Sequence, residues 1–235
     1  MVLFRSVIYF ILLIPLTIFF VLLSLLISIL PFPLRYKIIS GWARINVWLL
    51  KVICGINYRI QGEENIPSEA SIIMCNHQSA WETLTLQFIF PPQVWVLKRE
   101  LLWIPIFGWG LATLRPIAID RKSGREAVKQ VIEQGKERLG KGIWVTIFPE
   151  GTRIAPGKTR RYGKGGGFLA EKTGALIVPV AHNAGLCWPR NGFLKRPGMI
   201  DMVIGPAIDP KSKDADQITE EVRQWIEPMV KKLLE

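Results

Sequence analysis

A histidine five residues ahead of a carboxylate, in the run Asn76-His77-Gln78-Ser79-Ala80-Trp81-Glu82, is the first place where this chain could do proton chemistry. A carboxylate folded back onto one ring nitrogen orients the imidazole and leaves the other nitrogen free to take a proton. Acyl transfer from a thioester to an alcohol needs such a base, and general-base help is worth roughly 10² to 10⁴ in rate. The same letters also have a plainer meaning. Ser79 with Glu82 three residues on fits a capping box, in which both side chains satisfy the first amides of a helix. Spacing alone leaves both readings open.

The second candidate is Phe148-Pro149-Glu150-Gly151-Thr152-Arg153, which follows a strongly apolar run. At a strand exit, Pro149 and Gly151 shape a tight turn, and Glu150, Thr152 and Arg153 project into the crevice at the strand ends. Arginine offers a planar fork of donors suited to phosphate oxygens. An ordinary charged surface turn is the alternative. The only other histidine, His182, lies just past an apparent strand and reads as structural or pocket-lining. Cys54, Cys75 and Cys187 are odd in number and show no C-x-x-C spacing, which argues against a disulfide framework or a zinc site. The chemistry expected is metal-free, needs no cofactor and faces a reducing compartment. The glycine-rich run Gly163 to Gly167 lacks the order of a phosphate-binding P-loop and reads as a flexible lead into a helix. Trp188 to Lys195 reads as a solvated loop or a headgroup contact.

Stepping from strand to helix is what places such motifs together. Strands are expected over Ala70 to Cys75, Gln93 to Leu97, Pro116 to Ile119, Ile143 to Phe148, Leu176 to Ala181 and Met199 to Ile204. Helices are expected over Ala80 to Phe90, Ser123 to Leu139, Gly165 to Thr173 and Asp216 to Leu234. This alternation predicts an α/β domain with a mixed, largely parallel sheet flanked by helices.

The N-terminus is of another kind. No charged residue lies between Arg5 and Arg35, a stretch longer than the roughly 20 residues a bilayer-crossing helix needs. Pro15 inside it makes a kinked or re-entrant helix as admissible as a straight span, and no small-residue cleavage site marks it as a signal peptide. From Ile38 to Ile53 a second helix is expected. Lys37, Arg44 and Lys51 form a cationic stripe on it, while Ile38, Trp42, Ile45, Leu49, Val52 and Ile56 share another face. It is either a helix in the headgroup plane or an amphipathic core helix. Residues 1–56 are thus expected to form a hydrophobic two-helix membrane element and residues 57–235 the catalytic domain. Apolar residues make up 49% of the chain, which suits a lipid-covered segment, and the net charge of +11 calls for an anionic partner surface.

Taken together, Asn76-His77 with Glu82 and the block Phe148 to Arg153 resemble the bacterial 1-acyl-sn-glycerol-3-phosphate acyltransferases of the PlsC type. Ile119-Asp120-Arg121 resembles the second motif of that family and Val178-Pro179-Val180 its fourth. Lys98-Arg99-Glu100 with Pro105 and Gly108 matches the segment before the second motif. The resemblance covers roughly residues 57–206. It implies that His77 deprotonates the acceptor hydroxyl of lysophosphatidic acid and that Glu82 orients the imidazole. It also implies that Glu150, Thr152 and Arg153 bind the glycerol phosphate end with Arg121, that Gly151 allows close backbone approach, and that Lys98 adds positive potential. The donor would be a thioester of acyl carrier protein or coenzyme A. Location at a bacterial inner membrane, with the catalytic domain on the cytoplasmic side, follows from the same resemblance. One departure stands out: the usual pattern has Asp where this chain has Glu82, one methylene longer. Relatives acting on lipid A precursors also carry Glu there, so another lysolipid, an amino-acid lipid or a lipid A precursor is an alternative acceptor. A basic, non-catalytic membrane-surface protein is the alternative outside enzymology. Nucleic acid is disfavoured as a partner, since no recognised binding motif accompanies the charge.

Overall fold

The computed structural model describes residues 1–235. Two helices open the chain: α1 (Val2–Leu26) and α2 (Phe32–Cys54). There follow β1 (Ile56–Gln61), β2 (Ile72–Cys75), α3 (Trp81–Ile89), β3 (Gln93–Lys98), α4 (Phe107–Thr113), β4 (Ile117–Ile119) and α5 (Arg125–Gly140). The rest comprises β5 (Trp144–Ile147), α6 (Gly165–Thr173), β6 (Ile177–His182), β7 (Gly198–Ile204) and α7 (Ala215–Leu234).

The seven strands form one sheet in the order β1-β7-β6-β2-β5-β3-β4. Every neighbouring pair is parallel except β6 with β7, as expected of a mixed, largely parallel sheet. The central strands are buried on both faces: Ile72 to Cys75, Trp144 to Ile147 and Ile177 to His182 contain no exposed residue. That is why their sequences read as continuous apolar runs rather than alternating ones. Two clusters of buried side chains fill the faces, one around Met74, Val145, Leu169 and Ile218, the other around Ile73, Trp81, Val178 and Ile200. Parallel neighbours bring the C-terminal ends of β2, β5 and β6 to one edge, where crevices of α/β sheets collect ligands.

The N-terminal element departs from expectation in its detail. Only α1 is long and apolar enough to cross a membrane. It runs unbroken through Pro15 and exposes most of its apolar side chains. The uncharged stretch ends in a turn, which buried Arg35 closes by donating through one nitrogen to the carbonyls of Ser28 (2.6 Å) and Leu30 (3.3 Å). The second helix is amphipathic and charged rather than uniformly apolar. It starts earlier, at Phe32, and buries Tyr36, Ile39, Ala43, Val47, Leu50 and Cys54 in the domain. Of the stripe singled out in the sequence, Ile45 and Val52 are exposed, while Ile38, Trp42 and Leu49 are half-buried. Gly55, with φ of 71°, ends the helix, so Ile56 belongs to the strand β1 and not to the helix face. Two elements lie outside the sequence reading: β1, an edge strand with polar exposed residues, and α4, a short helix interrupted by glycines.

Candidate active site

The loop after β2 carries His77 and the first turn of α3 carries Glu82. The Glu82 carboxylate is fully buried, and one of its oxygens, Oε1, has three neighbours. Imidazole Nδ1 of His77 lies 2.7 Å away, and the amides of Gln78 and Ser79 donate from 3.0 and 2.8 Å. The two readings of the motif are therefore not exclusive. Half of the capping box is present, since Glu82 accepts from Ser79, while Ser79 Oγ accepts from the Trp81 amide at 3.2 Å. Burial alone would push the Glu82 carboxyl up. The adjacent His182 and His77 imidazoles and the Ser79 amide outweigh it and hold the carboxyl below its ordinary range.

A stacked neighbour fixes the plane of the His77 ring: Phe148 lies parallel to it, with centroids 4.0 Å apart. The Ile154 amide donates to the His77 carbonyl at 2.7 Å, which ties the loop after β5 to the loop after β2. His182, at the end of β6, is wholly buried and clamps the base of the same loop. Asn76 Nδ2 donates to the His182 carbonyl (3.0 Å), and the His182 amide donates to Asn76 Oδ1 (2.9 Å). The ring completes the clamp: Nδ1 accepts from the Ala184 amide at 3.1 Å, so the proton sits on Nε2, 2.8 Å from the Asn76 carbonyl. Burial pushes the His182 pKa down, offset only in part by the Glu82 carboxylate and the Asn76 carbonyl. Its Nε2 is 3.8 Å from the second Glu82 oxygen, which has no hydrogen-bond partner. Neither the Asn76–His182 clamp nor the Phe148 stack is signalled by sequence spacing, because both join residues far apart in the chain.

His77 opens onto a largely apolar cavity of about 320 Å³ that Arg121 and Arg153 also line. Its walls include Phe20 and Val21 of α1, Trp42 of α2, and Leu97, Leu101 and Phe107. Arg121 donates to the Gly151 carbonyl, and the Arg153 carbonyl accepts from Arg190 at 3.1 Å. Gly151 has φ of 67°, a conformation that an L side chain rarely adopts, so a glycine is required in this turn. Thr152 is half-buried in the turn and lines no part of that cavity. Lys98 is exposed at the end of β3, pairs with Glu100 at 3.1 Å, and also lies outside the cavity wall. Glu150 is placed differently from Arg153. Its side chain, 9% exposed, lines a separate space of about 730 Å³ with Asn76, Gln78 and Tyr162. Burial pushes its pKa up to about 8, only partly offset by its own amide and that of His77.

An acyltransferase family model matches residues 57–183. The chain is 49% identical over 193 residues to a 1-acyl-sn-glycerol-3-phosphate acyltransferase of Pseudomonas aeruginosa, covering 82% of this chain and 75% of that one. A protein of the same name from Saccharomyces cerevisiae is 31% identical over 201 residues, covering 82% of this chain and 65% of the yeast protein. The fold matches the crystal structure of the 1-acyl-sn-glycerophosphate acyltransferase PlsC from Thermotoga maritima, with a TM-score of 0.83 at 23% identity, over 99% of this chain and 95% of that one. A family model that spans most of the sheet, and a relative nearly half identical over most of both chains, lead to one conclusion: this chain belongs to the acyltransferase family.

Proposed function

We propose that the protein transfers a fatty acyl group from an acyl thioester to the sn-2 hydroxyl of 1-acyl-glycerol-3-phosphate, giving phosphatidic acid. One observation carries the reading: an imidazole held by a buried carboxylate at 2.7 Å opens onto an apolar cavity that two arginines also line. The names carried by the Pseudomonas and yeast relatives agree with it.

The chemistry follows from the geometry. With its Nδ1 proton donated to Glu82, the His77 ring presents an unprotonated Nε2. That nitrogen takes the proton of the acceptor hydroxyl as the oxygen attacks the thioester carbonyl. Collapse of the tetrahedral intermediate breaks the C–S bond, and the imidazolium returns its proton to the departing thiolate. Glu82 stabilises the imidazolium in between, as a buried carboxylate beside a histidine base does in general. Arg153 and Arg121 would hold the acceptor phosphate, where a guanidinium fork matches phosphate oxygens. The apolar wall shared by α1, α2 and the segment after β3 suits a hydrocarbon chain. Glu150, buried and facing the other space, is assigned to supporting the His77 loop rather than to contacting phosphate. Either acyl carrier protein or coenzyme A fits as the donor group, since both are anionic and the chain carries a net charge of +11. A domain on the cytoplasmic face of a bacterial inner membrane, where such thioesters occur, completes the reading.

Purified protein in bilayers, given lysophosphatidate with acyl carrier protein or coenzyme A thioesters, should form phosphatidate. His77→Ala should lower the rate by about 10² to 10⁴. Turnover retained in that variant would end the proposal.

A further inference from the structure

Between β3 and β4 the chain does something that water does not favour. Leu101, Trp103, Ile104, Ile106, Phe107 and Trp109 all stand exposed, Trp103 at 65% and Trp109 at 54%. No charged residue lies between Glu100 and Arg115. Soluble proteins seldom leave a contiguous apolar surface of this kind without a partner for it. Exposed cations bracket it, Lys98 and Arg99 before and Arg115 after. Tryptophan flanked by basic residues is the composition of a boundary between hydrocarbon and headgroups.

The segment is fastened to the helix with the strongest claim on lipid. Gly110 lets α4 sit directly on α1: a Cβ there would come within 2.8 Å of Val21 Cγ2. Beside this contact α1 exposes Phe19, Leu22, Leu25 and Leu26. At the other end of α1, Phe10 packs against Phe193 with centroids 5.8 Å apart, and Phe193 and Leu194 are themselves exposed. The buried residues of α1 are Ser6, Tyr9, Val21 and Ser24, which span its second turn to its last. The helix therefore lies along the domain instead of projecting from it. Lipid that covers its outer face must also meet the surfaces on either side.

We infer that Leu101 to Trp109 is a second membrane-contacting element, which inserts Trp103, Ile104 and Trp109 into the same leaflet that receives α1. Its occupant is the bilayer, because the apolar surface continues that of α1 and the exposed cations Lys98, Arg99 and Arg115, which outnumber the one flanking carboxylate of Glu100, suit lipid phosphates. The inference does not depend on the catalytic assignment.

All three native cysteines are buried, so an introduced surface thiol can be labelled selectively. Trp103→Cys, and Lys129→Cys on exposed α5 as a control, would each carry an environment-sensitive fluorophore on the full chain in phosphatidylcholine and phosphatidylglycerol vesicles. The Trp103→Cys probe should be quenched by lipids spin-labelled high on the acyl chain and be several-fold less accessible to aqueous iodide than the control. Equal iodide accessibility at the two positions, as a face reserved for a protein partner would give, overturns the inference. Independently, Trp103→Asp with Trp109→Asp should lower acyl transfer to an acceptor embedded in vesicles by about tenfold, while leaving transfer to detergent-dispersed acceptor within about twofold. Equal loss in both settings, or none in vesicles, also overturns it.

Discussion

Glu150→Gln is a substitution whose effect should change with pH in a direction the structure dictates. Burial raises the Glu150 carboxyl from 4.5 to about 8. In the unfolded chain the group ionises at its ordinary value. Between those two values the native state therefore holds a proton that the unfolded state has released, so stability falls as pH rises. At 1.36 kcal/mol per unit, the full shift would cost on the order of 5 kcal/mol above pH 8, an upper bound that relaxation of the surroundings reduces. Glutamine mimics the protonated acid and does not titrate. The stability of the Gln variant relative to the parent should therefore increase by roughly 1 to 2.5 kcal/mol between about pH 5.5 and pH 7.5. For a domain of this size that is about 3 to 8 °C in Tm. Thermal unfolding of both proteins in the same detergent at the two pH values reads it directly. A difference in Tm that stays constant with pH, or moves in favour of the parent as pH rises, refutes the burial argument. It would also return Glu150 to the role of an ionised substrate contact.

Further expectations concern the residues around His77. Glu82→Gln keeps an acceptor for the Gln78 and Ser79 amides but removes the charge, so kcat should fall by about 10² or more with little change in Tm; full activity in an acylation assay would leave the carboxylate with capping alone. Arg153→Ala should raise KM for the phosphorylated acceptor more than for the thioester, measured by varying each in turn. Gly151→Ala places a side chain at φ of 67° and should cost about 1 kcal/mol, a drop of roughly 2 to 4 °C in Tm. His182→Ala removes the imidazole that bonds the Asn76 carbonyl and should cost about 1 to 3 kcal/mol in stability as well as lower kcat, because the His77 loop loses its clamp.

Much of this architecture was legible because each central strand is a short apolar run bounded by turn residues, so the expected starts of β3, β5 and β6 agree to within a residue with Gln93, Trp144 and Ile177. Elements at the margin were harder to read. In β1, Asn57, Arg59 and Gln61 are tolerated because the strand pairs only with β7 at the sheet edge. On α2, two apolar stripes compete, and only the tertiary contacts with α1 and α3 decide that Tyr36, Ile39 and Ala43 face inward. At the site, the local pair His77 and Glu82 could be named from five residues of sequence. The meeting of Asn76 with His182 is a product of β2 lying beside β6 and leaves no trace in linear spacing. Glu150 shows the reverse limit: two letters of one motif, Glu150 and Arg153, line different cavities, with the turn at Gly151 between them.

Under the proposed function, the wall that Thr17, Phe20, Val21 and Ser24 give to the cavity makes attachment and reaction vessel one object. Exchanging α1 for an unrelated hydrophobic anchor would then restore attachment to the bilayer yet leave the cavity wall breached. Attempts to obtain a soluble form by trimming that helix would remove that wall along with the anchor.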